Sequence, residues 1–226
     1  MSSSKRYAVI VAGGKGLRMN SDIPKQFMEL KGIPVLMRTL NAFFLADSSI
    51  EIILVLPEVH QNYWIQLVEQ YQFKVPHHTV SGGVSRFQSV KKGLDAIKGA
   101  GLVAIHDGVR PLVSSEIIEN SYKTAGENSS AIAAVASKDS IRKITIDGTK
   151  SVDRSKYYLV QTPQTFDVQA LKKAYNVKEK AYFTDDASVF EDSGGEVSLV
   201  DGDYQNIKIT TQEDLVMAEC FIEIQK

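Results

Sequence analysis

Cysteine is all but absent: Cys220 is the only one in the 226-residue chain. One thiol closes no intrachain disulfide and builds no cysteine metal cluster, so a reducing compartment, the cytoplasm, is the expected home. Long apolar runs are missing too. Nothing approaches the roughly 20 residues of a membrane span, and Met1-Ser2-Ser3-Ser4-Lys5-Arg6 lacks the apolar core of a secretory signal. Nor is there an excess of charge of one sign, since 26 basic residues face 27 acidic ones for a formal net charge of -1. No global field then favours nucleic acid or an anionic membrane, and any anion must be bound locally. Histidine is scarce, at four, and no nucleophile–histidine–acid triad is recognisable.

What is present begins with a short apolar run, Tyr7-Ala8-Val9-Ile10-Val11, followed at once by Ala12-Gly13-Gly14-Lys15-Gly16-Leu17-Arg18-Met19. The run predicts a buried strand. Glycines let backbone N–H groups approach an anion closely, and Lys15, Arg18 and Lys25 outnumber the single nearby acid, Asp22. A strand, a glycine loop and fixed cations suggest a phosphate cradle; the plain alternative is a strand-to-helix turn with solvated cations. Two familiar phosphate loops are excluded. The dinucleotide fingerprint needs a third glycine where Met19 stands, and the P-loop needs Ser or Thr directly after Gly-Lys, where Gly16 stands.

The rest of the chain alternates strand-like and helix-like stretches. Ile50–Leu56, Phe73–Val80, Leu102–Ile105 and Ala131–Ala136 read as strands, and residues around Val35–Phe44, Val59–Tyr71, Phe87–Ile97 and Ser115–Ala125 as helices. His77-His78 is expected as a surface pair, because neighbours in a strand face opposite ways, and Trp64 as a packing residue. Ser85 and Gln88 have capping-box spacing, as do Thr210 and Glu213. Gly82-Gly83 would let a base or sugar lie on bare backbone, with Ser89 adding a hydroxyl. His106-Asp107 falls at the carboxyl end of a strand, where open α/β sheets bind ligands. Asp107 is thus a candidate magnesium ligand on a triphosphate or a turn cap. Ile141–Val152, turning at Asp147-Gly148, predicts a charged hairpin outside the main sheet. Thr184–Ser188 reads as a capped helix start, Glu196–Val200 as a strand and Asn206–Ile209 as a last short strand. The pattern predicts one α/β domain over residues 1–226, with a mostly parallel sheet and a hairpin arm at about 138–158.

Ala12–Met19 followed by Ile23-Pro24-Lys25-Gln26-Phe27 resembles the opening of the cytidylyltransferases of isoprenoid biosynthesis, which join CTP to 2-C-methyl-D-erythritol 4-phosphate. The resemblance continues, in order, through Gly82–Arg86, His106–Pro111, Val152-Asp153-Arg154, Gln161–Gln164, Thr184–Ser188 and Asn206–Thr210. It departs at Gly108-Val109, where the family more often carries alanines. It implies a Rossmann-like fold of the nucleotide-diphospho-sugar transferase type. It further implies CTP on Ala12, Gly13, Gly14, Lys15, Gly16, Gly83, Arg86, Ser89 and Asp107, with magnesium as cofactor. Arg18, Lys25, Arg154 and Lys208 are the implied catalytic cations, and Arg110, Ser140, Thr162 and Thr184 the implied contacts to the polyol phosphate. The arm would embrace a second subunit, so that Ser140 and Arg154 serve a neighbour's site in a homodimer. The competing readings are a ribitol 5-phosphate cytidylyltransferase, a sugar nucleotidyltransferase using another base, and a catalytically silent nucleotide-binding protein.

Overall fold

The structure, a computed structural model, describes residues 4–13 and 23–224. Its first strand, β1 (Arg6–Val11), is buried on both faces from Tyr7 onward, as expected of a continuous apolar run at the centre of a parallel sheet. After a 3-10 turn at Lys25–Phe27, a two-stranded ribbon, β2 (Glu29–Leu30) and β3 (Ile33–Pro34), leads into α1 (Val35–Ala46). β4 (Glu51–Leu56), α2 (Glu58–Gln70), β5 (His78–Ser81), α3 (Arg86–Ala96), β6 (Leu102–Asp107), α4 (Ser115–Asn128) and β7 (Ser130–Ala136) continue the alternation. The hairpin β8 (Arg142–Thr145) and β9 (Gly148–Ser151) forms a sheet of its own, exposed at every position. The chain then returns through β10 (Tyr158–Asp167), α5 (Val168–Ala174), α6 (Asp186–Asp192), β11 (Leu199–Asp201) and α7 (Gln212–Ile224).

The main sheet has seven strands in the order β11-β7-β10-β6-β1-β4-β5. All run parallel except β10, which lies antiparallel between β6 and β7. Alternate residues of the central strands feed two cores. Ala8, Ile10, Ile52, Leu54 and Leu56 meet Leu36, Leu40, Phe43 and Trp64 on one face. Val9, Val11, Ile53, Val55 and Ile105 meet Val90, Leu94, Leu171 and Phe190 on the other. This is the period-2 alternation of a sheet covered on both sides. On the second face α3 sits very close to the sheet: a Cβ on Gly93 would come within 2.5 Å of a Val9 methyl.

Several sequence expectations are corrected. β10 is a strand absent from the sequence reading, since a proline such as Pro163 argues against a central strand; the strand accommodates it at a register shift between Val160 and Gln164. Phe73–Val80 yields only β5, since Phe73 and Val75 serve the core from irregular backbone. Asn206–Ile209 is not a strand. Its backbone is held by local turn bonds from Asn206 N–H to the Asp203 carbonyl and from Ile207 N–H to Gln205, by Arg110 on the Asn206 carbonyl, and by the bond from Ile209 N–H to the Val109 carbonyl. The hairpin turns at Ile146-Asp147, with Gly148 (φ +124°) already paired to Thr145. His77 is no surface residue: it is half-buried, accepting from Trp64 Nε1 at 3.0 Å while its Nδ1 sits 2.8 Å from the Val75 carbonyl. Before α7 the cap acceptor is Asp214 rather than Glu213, taking the Thr210 N–H and hydroxyl and the Thr211 N–H.

Candidate functional site

Four parallel strands, β6, β1, β4 and β5, end side by side, and the residues at their ends are tied to one another. Ala12 N–H donates to the Val55 carbonyl, Gly108 N–H to Val11, and Gly82 N–H to Leu56, each at 2.8–2.9 Å. Two adjoining cavities open on this carboxyl edge, as the topology predicts. The first, of about 310 Å³, is lined by Gly13, Lys25, Gly82, Gly83 and Ser89, and by Arg86, Asp107 and Lys208. The second, of about 300 Å³, is lined by Arg110, Thr162, Gln164, Thr184 and Asp185, and again by Arg86, Asp107 and Lys208. The two cavities therefore share one wall.

That wall is electrostatic. Asp107 Oδ2 lies 3.0 Å from Lys208 Nζ and 3.4 Å from Arg110 Nε, and its Oδ1 lies 3.6 Å from Arg86 Nε. Burial on its own would raise the Asp107 pKa; Arg86, Lys208 and Arg110 together hold the carboxyl well below the usual range. The position of Lys208 follows from the irregular segment around it. Arg110 donates to the Asn206 carbonyl at 2.7 Å, and the Asn206 amide donates to Gln161 Oε1 and to the Thr162 carbonyl. The Thr162 hydroxyl in turn accepts from Asp107 N–H at 3.1 Å.

The glycine pair behaves differently from the simple expectation. The space where a Cβ on Gly83 would sit is filled from within, by Gln88 Cβ at 2.3 Å. Ser85 caps α3 by accepting from Gln88 N–H, but the Gln88 side chain accepts from Val84 N–H, so no reciprocal box forms. The Ser89 hydroxyl donates to the Ser85 carbonyl and accepts from Gly83 N–H. It thus shapes the loop that lines the first cavity. Ala12 does not line that cavity: its N–H is committed to Val55 and its methyl packs beside Gly108. Gly14, Lys15, Gly16 and Arg18 lie outside the described residues.

His106 is wholly buried beside the Phe43 ring, with Nε2 donating to the Arg110 carbonyl. Burial lowers its pKa to about 4 from 6.5, so the ring is neutral at physiological pH and serves as structure. Its folded pKa lies below the unfolded one, so the unfolded chain takes up the proton first. Stability from this group is therefore complete above about pH 6.5 and falls as the pH drops towards 4. The expected loss is about 3 kcal/mol. Urea midpoints measured across that window would show the slope in the native protein and a flatter one in His106→Gln.

Ser140 and Arg154 sit on the exposed arm and line neither cavity; the Arg154 guanidinium donates to the Lys138 carbonyl. Of the implied contacts, Lys25, Gly83, Arg86, Ser89, Asp107 and Lys208 converge on the first cavity, and Arg110, Thr162, Thr184 and Lys208 on the second. Asp107 is compensated by protein cations, chiefly through Oδ2. Among the described residues no group of three or more His, Cys, Asp or Glu side chains gathers as a metal cluster. Asp185 and Asp186 form no metal pair either: Asp185 caps α6 and Asp186 is taken by Arg86. The partnership of Arg86 and Asp186, a hundred residues apart, had no signal in the sequence beyond the acidic pair itself.

Comparison with known proteins gives a consistent answer. The family model for 2-C-methyl-D-erythritol 4-phosphate cytidylyltransferase matches residues 7–224. A protein of that name from Phocaeicola vulgatus is 52% identical over 96% of this chain and 99% of its own. One from Bacteroides thetaiotaomicron is 48% identical over 96% and 100%. The crystal structure of 4-diphosphocytidyl-2C-methyl-D-erythritol synthase from Anaerococcus prevotii superposes with a TM-score of 0.83 at 32% identity, covering 97% of this chain and 99% of its own.

Proposed function

The chain belongs to the 2-C-methyl-D-erythritol 4-phosphate cytidylyltransferase family, and on that premise we propose that its two adjoining cavities hold CTP and the polyol phosphate, with the reaction at their shared wall. It is a nucleotidyltransferase of isoprenoid biosynthesis that transfers the cytidylyl group of CTP to methylerythritol phosphate, the acceptor its relatives are named for rather than ribitol phosphate. The observation that carries the assignment of the site is the wall itself: Arg86, Asp107 and Lys208 line both cavities.

The reacting groups are two anions. A phosphate oxygen of the polyol phosphate attacks the α-phosphorus of CTP; the bond to the β-phosphate breaks, and pyrophosphate leaves with the electron pair. A phosphate monoester has its second pKa near 6 and is already ionised at neutral pH, so no general base is needed. That suits a site whose nearby histidine is buried and neutral. The work falls on charge and alignment. Lys25, with Arg18, stabilises charge on the α-phosphate, and Lys15 holds the outer phosphates. Lys208 and Arg110 orient the phosphate of the acceptor, while Thr162 and Thr184 donate hydroxyls to it.

Magnesium fits as an ion brought in by the triphosphate. The chain offers it one carboxylate, Asp107, whose Oδ1 is engaged only at 3.6 Å. When bound, the ion neutralises charge on the nucleotide phosphates. No described helix is long and apolar enough to cross a membrane, and we place the reaction in the cytoplasm, where nucleoside triphosphates are made.

The arm completes the site in a homodimer, delivering Ser140 and Arg154 to the neighbouring chain. Support comes from surface that a monomer leaves exposed. Ile144 and Ile146 on the arm are 83% and 99% exposed, and four consecutive large apolar residues, Tyr157–Val160, are each 43–55% exposed at its base. The test is complementation between two impaired variants, Lys25→Ala and Arg154→Ala, mixed in equal amounts and allowed to exchange subunits. Half the dimers are then mixed, and each carries one intact site, so pyrophosphate release with CTP, magnesium and methylerythritol phosphate is expected to recover to about a quarter of the native value. No recovery, or a monomer in gel filtration, would place Arg154 outside the partner's site.

A further inference from the structure

Asp186 is a fully buried carboxylate to which the reaction scheme above gives no role. It stands at the first position of α6, where Asp185, not Asp186, is the cap. Its oxygens receive Arg86 Nη1 at 3.0 Å and Nη2 at 2.6 Å, and the Tyr175 hydroxyl donates to Oδ1 at 2.5 Å. A fork of this kind fixes a guanidinium in plane as well as in place. Because both terminal nitrogens of Arg86 are held, only its Nε edge faces Asp107, at 3.6 Å. Lys208 makes the closer contact to that carboxylate, at 3.0 Å. Acid and base therefore alternate across the wall in the order Asp186, Arg86, Asp107, Lys208. The same helix start is bound to the second cavity through Gln164, which donates to Asp185 Oδ2 at 2.9 Å and accepts from Ala187 N–H at 2.8 Å.

We propose that Asp186, braced by Tyr175, is a positioning residue for the transfer reaction. It withholds the fork of Arg86 from Asp107, so that Lys208 keeps that carboxylate and stays aligned between the two substrates. Released from Asp186, Arg86 is the better-matched partner for Asp107, since a planar fork fits a carboxylate more closely than an ammonium does. Lys208 would then lose its anchor. The inference rests on the two-cavity reading of the site.

Asp186→Asn keeps the shape of the side chain and removes its charge. Turnover per folded chain is expected to fall about 10²-fold, the scale of a misplacement of about 1 Å near the chemistry. KM for CTP is expected to stay within about threefold, because Lys25 and the glycine loops are untouched, whereas general loosening of the fold would not separate the two constants. If Asp186 acts through Arg86, adding Asp186→Asn to an Arg86→Gln chain costs less than about threefold more, the non-additivity of a coupled pair. Tyr175→Phe, which removes the brace and keeps the charge, serves as the milder variant, expected to lose about three- to tenfold in turnover and to add nothing in the Arg86→Gln chain. Native turnover in folded Asp186→Asn, or an undiminished loss in the Arg86→Gln background, overturns the inference. Native behaviour of Arg86→Gln itself would instead remove Arg86 from the site and so overturn the two-cavity reading beneath it.

Discussion

Lys208→Ala is expected to lower turnover by about 10²- to 10³-fold, the cost of removing one preorganised charge at a reacting centre. The residue lines both cavities, so its loss touches the acceptor phosphate and the transferred group together. Both kcat and the KM for methylerythritol phosphate are expected to change. The fold is expected to tolerate the substitution. Lys208 is 41% exposed, and Asp107 keeps Arg110 at 3.4 Å and Arg86 at 3.6 Å. Loss of such a pair is worth about 1 kcal/mol or less once solvent screening is allowed for. Steady-state pyrophosphate release, together with calorimetric binding of CTP, separates the two effects. Near-native turnover in a folded variant would remove Lys208 from the reacting centre.

Lys25→Ala is expected to lose about 10²-fold or more, by a different route. Lys25 opens a 3-10 turn whose next two residues, Gln26 and Phe27, are buried. The Phe27 ring packs 5.2 Å from Tyr63 and 6.3 Å from Trp64, centre to centre. The lysine is therefore mounted on an anchored segment and meets the nucleotide already in place, which makes an electrostatic donor effective. It lines the first cavity only. The loss is expected in kcat, with KM for the polyol phosphate little changed, in contrast to Lys208→Ala. A variant that turns over normally, or one whose defect lies wholly in acceptor binding, would contradict this role.

Much of the scaffold could be read from local patterns, and the limits of that reading are physical. β1, β4, β6 and β7 are continuous apolar runs because both faces of a parallel sheet are covered, and such runs stand out in any sequence. The charged hairpin stood out for the opposite reason, since it has no apolar face to bury. β10 did not, because Pro163 breaks the pattern of a central strand and the register shift that accommodates it is a tertiary feature. The segment that carries Lys208 looks like a strand by composition, yet Arg110 takes its Asn206 carbonyl and the Asn206 side chain ties it to β10. Short-range pattern cannot reveal such long-range partners. The candidate site divides the same way. Lys25, Gly83, Arg86, Ser89, Asp107 and Lys208, all named by motif, line one cavity, Ser140 and Arg154 stay on the arm, and Asp186, which braces Arg86, is visible in the sequence only as part of a helix start.

The reversed direction of β10 has a consequence for how this chain can change. Since β7 and β10 are antiparallel neighbours, with Ala136 opposite Tyr158, everything between them is topologically one excursion that leaves and re-enters at the carboxyl edge of the sheet. The entropic cost of such an excursion rises only with the logarithm of its length, by about 0.6 kcal/mol per doubling. No core residue comes from 137–157, so the sheet is indifferent to what lies there. Insertions, deletions and exchanges in this stretch are nearly free for folding, and they occur at the edge where the substrates meet. This stretch is thus a place where sequence can drift widely under a constraint set by the site and its surroundings, not by the stability of the domain.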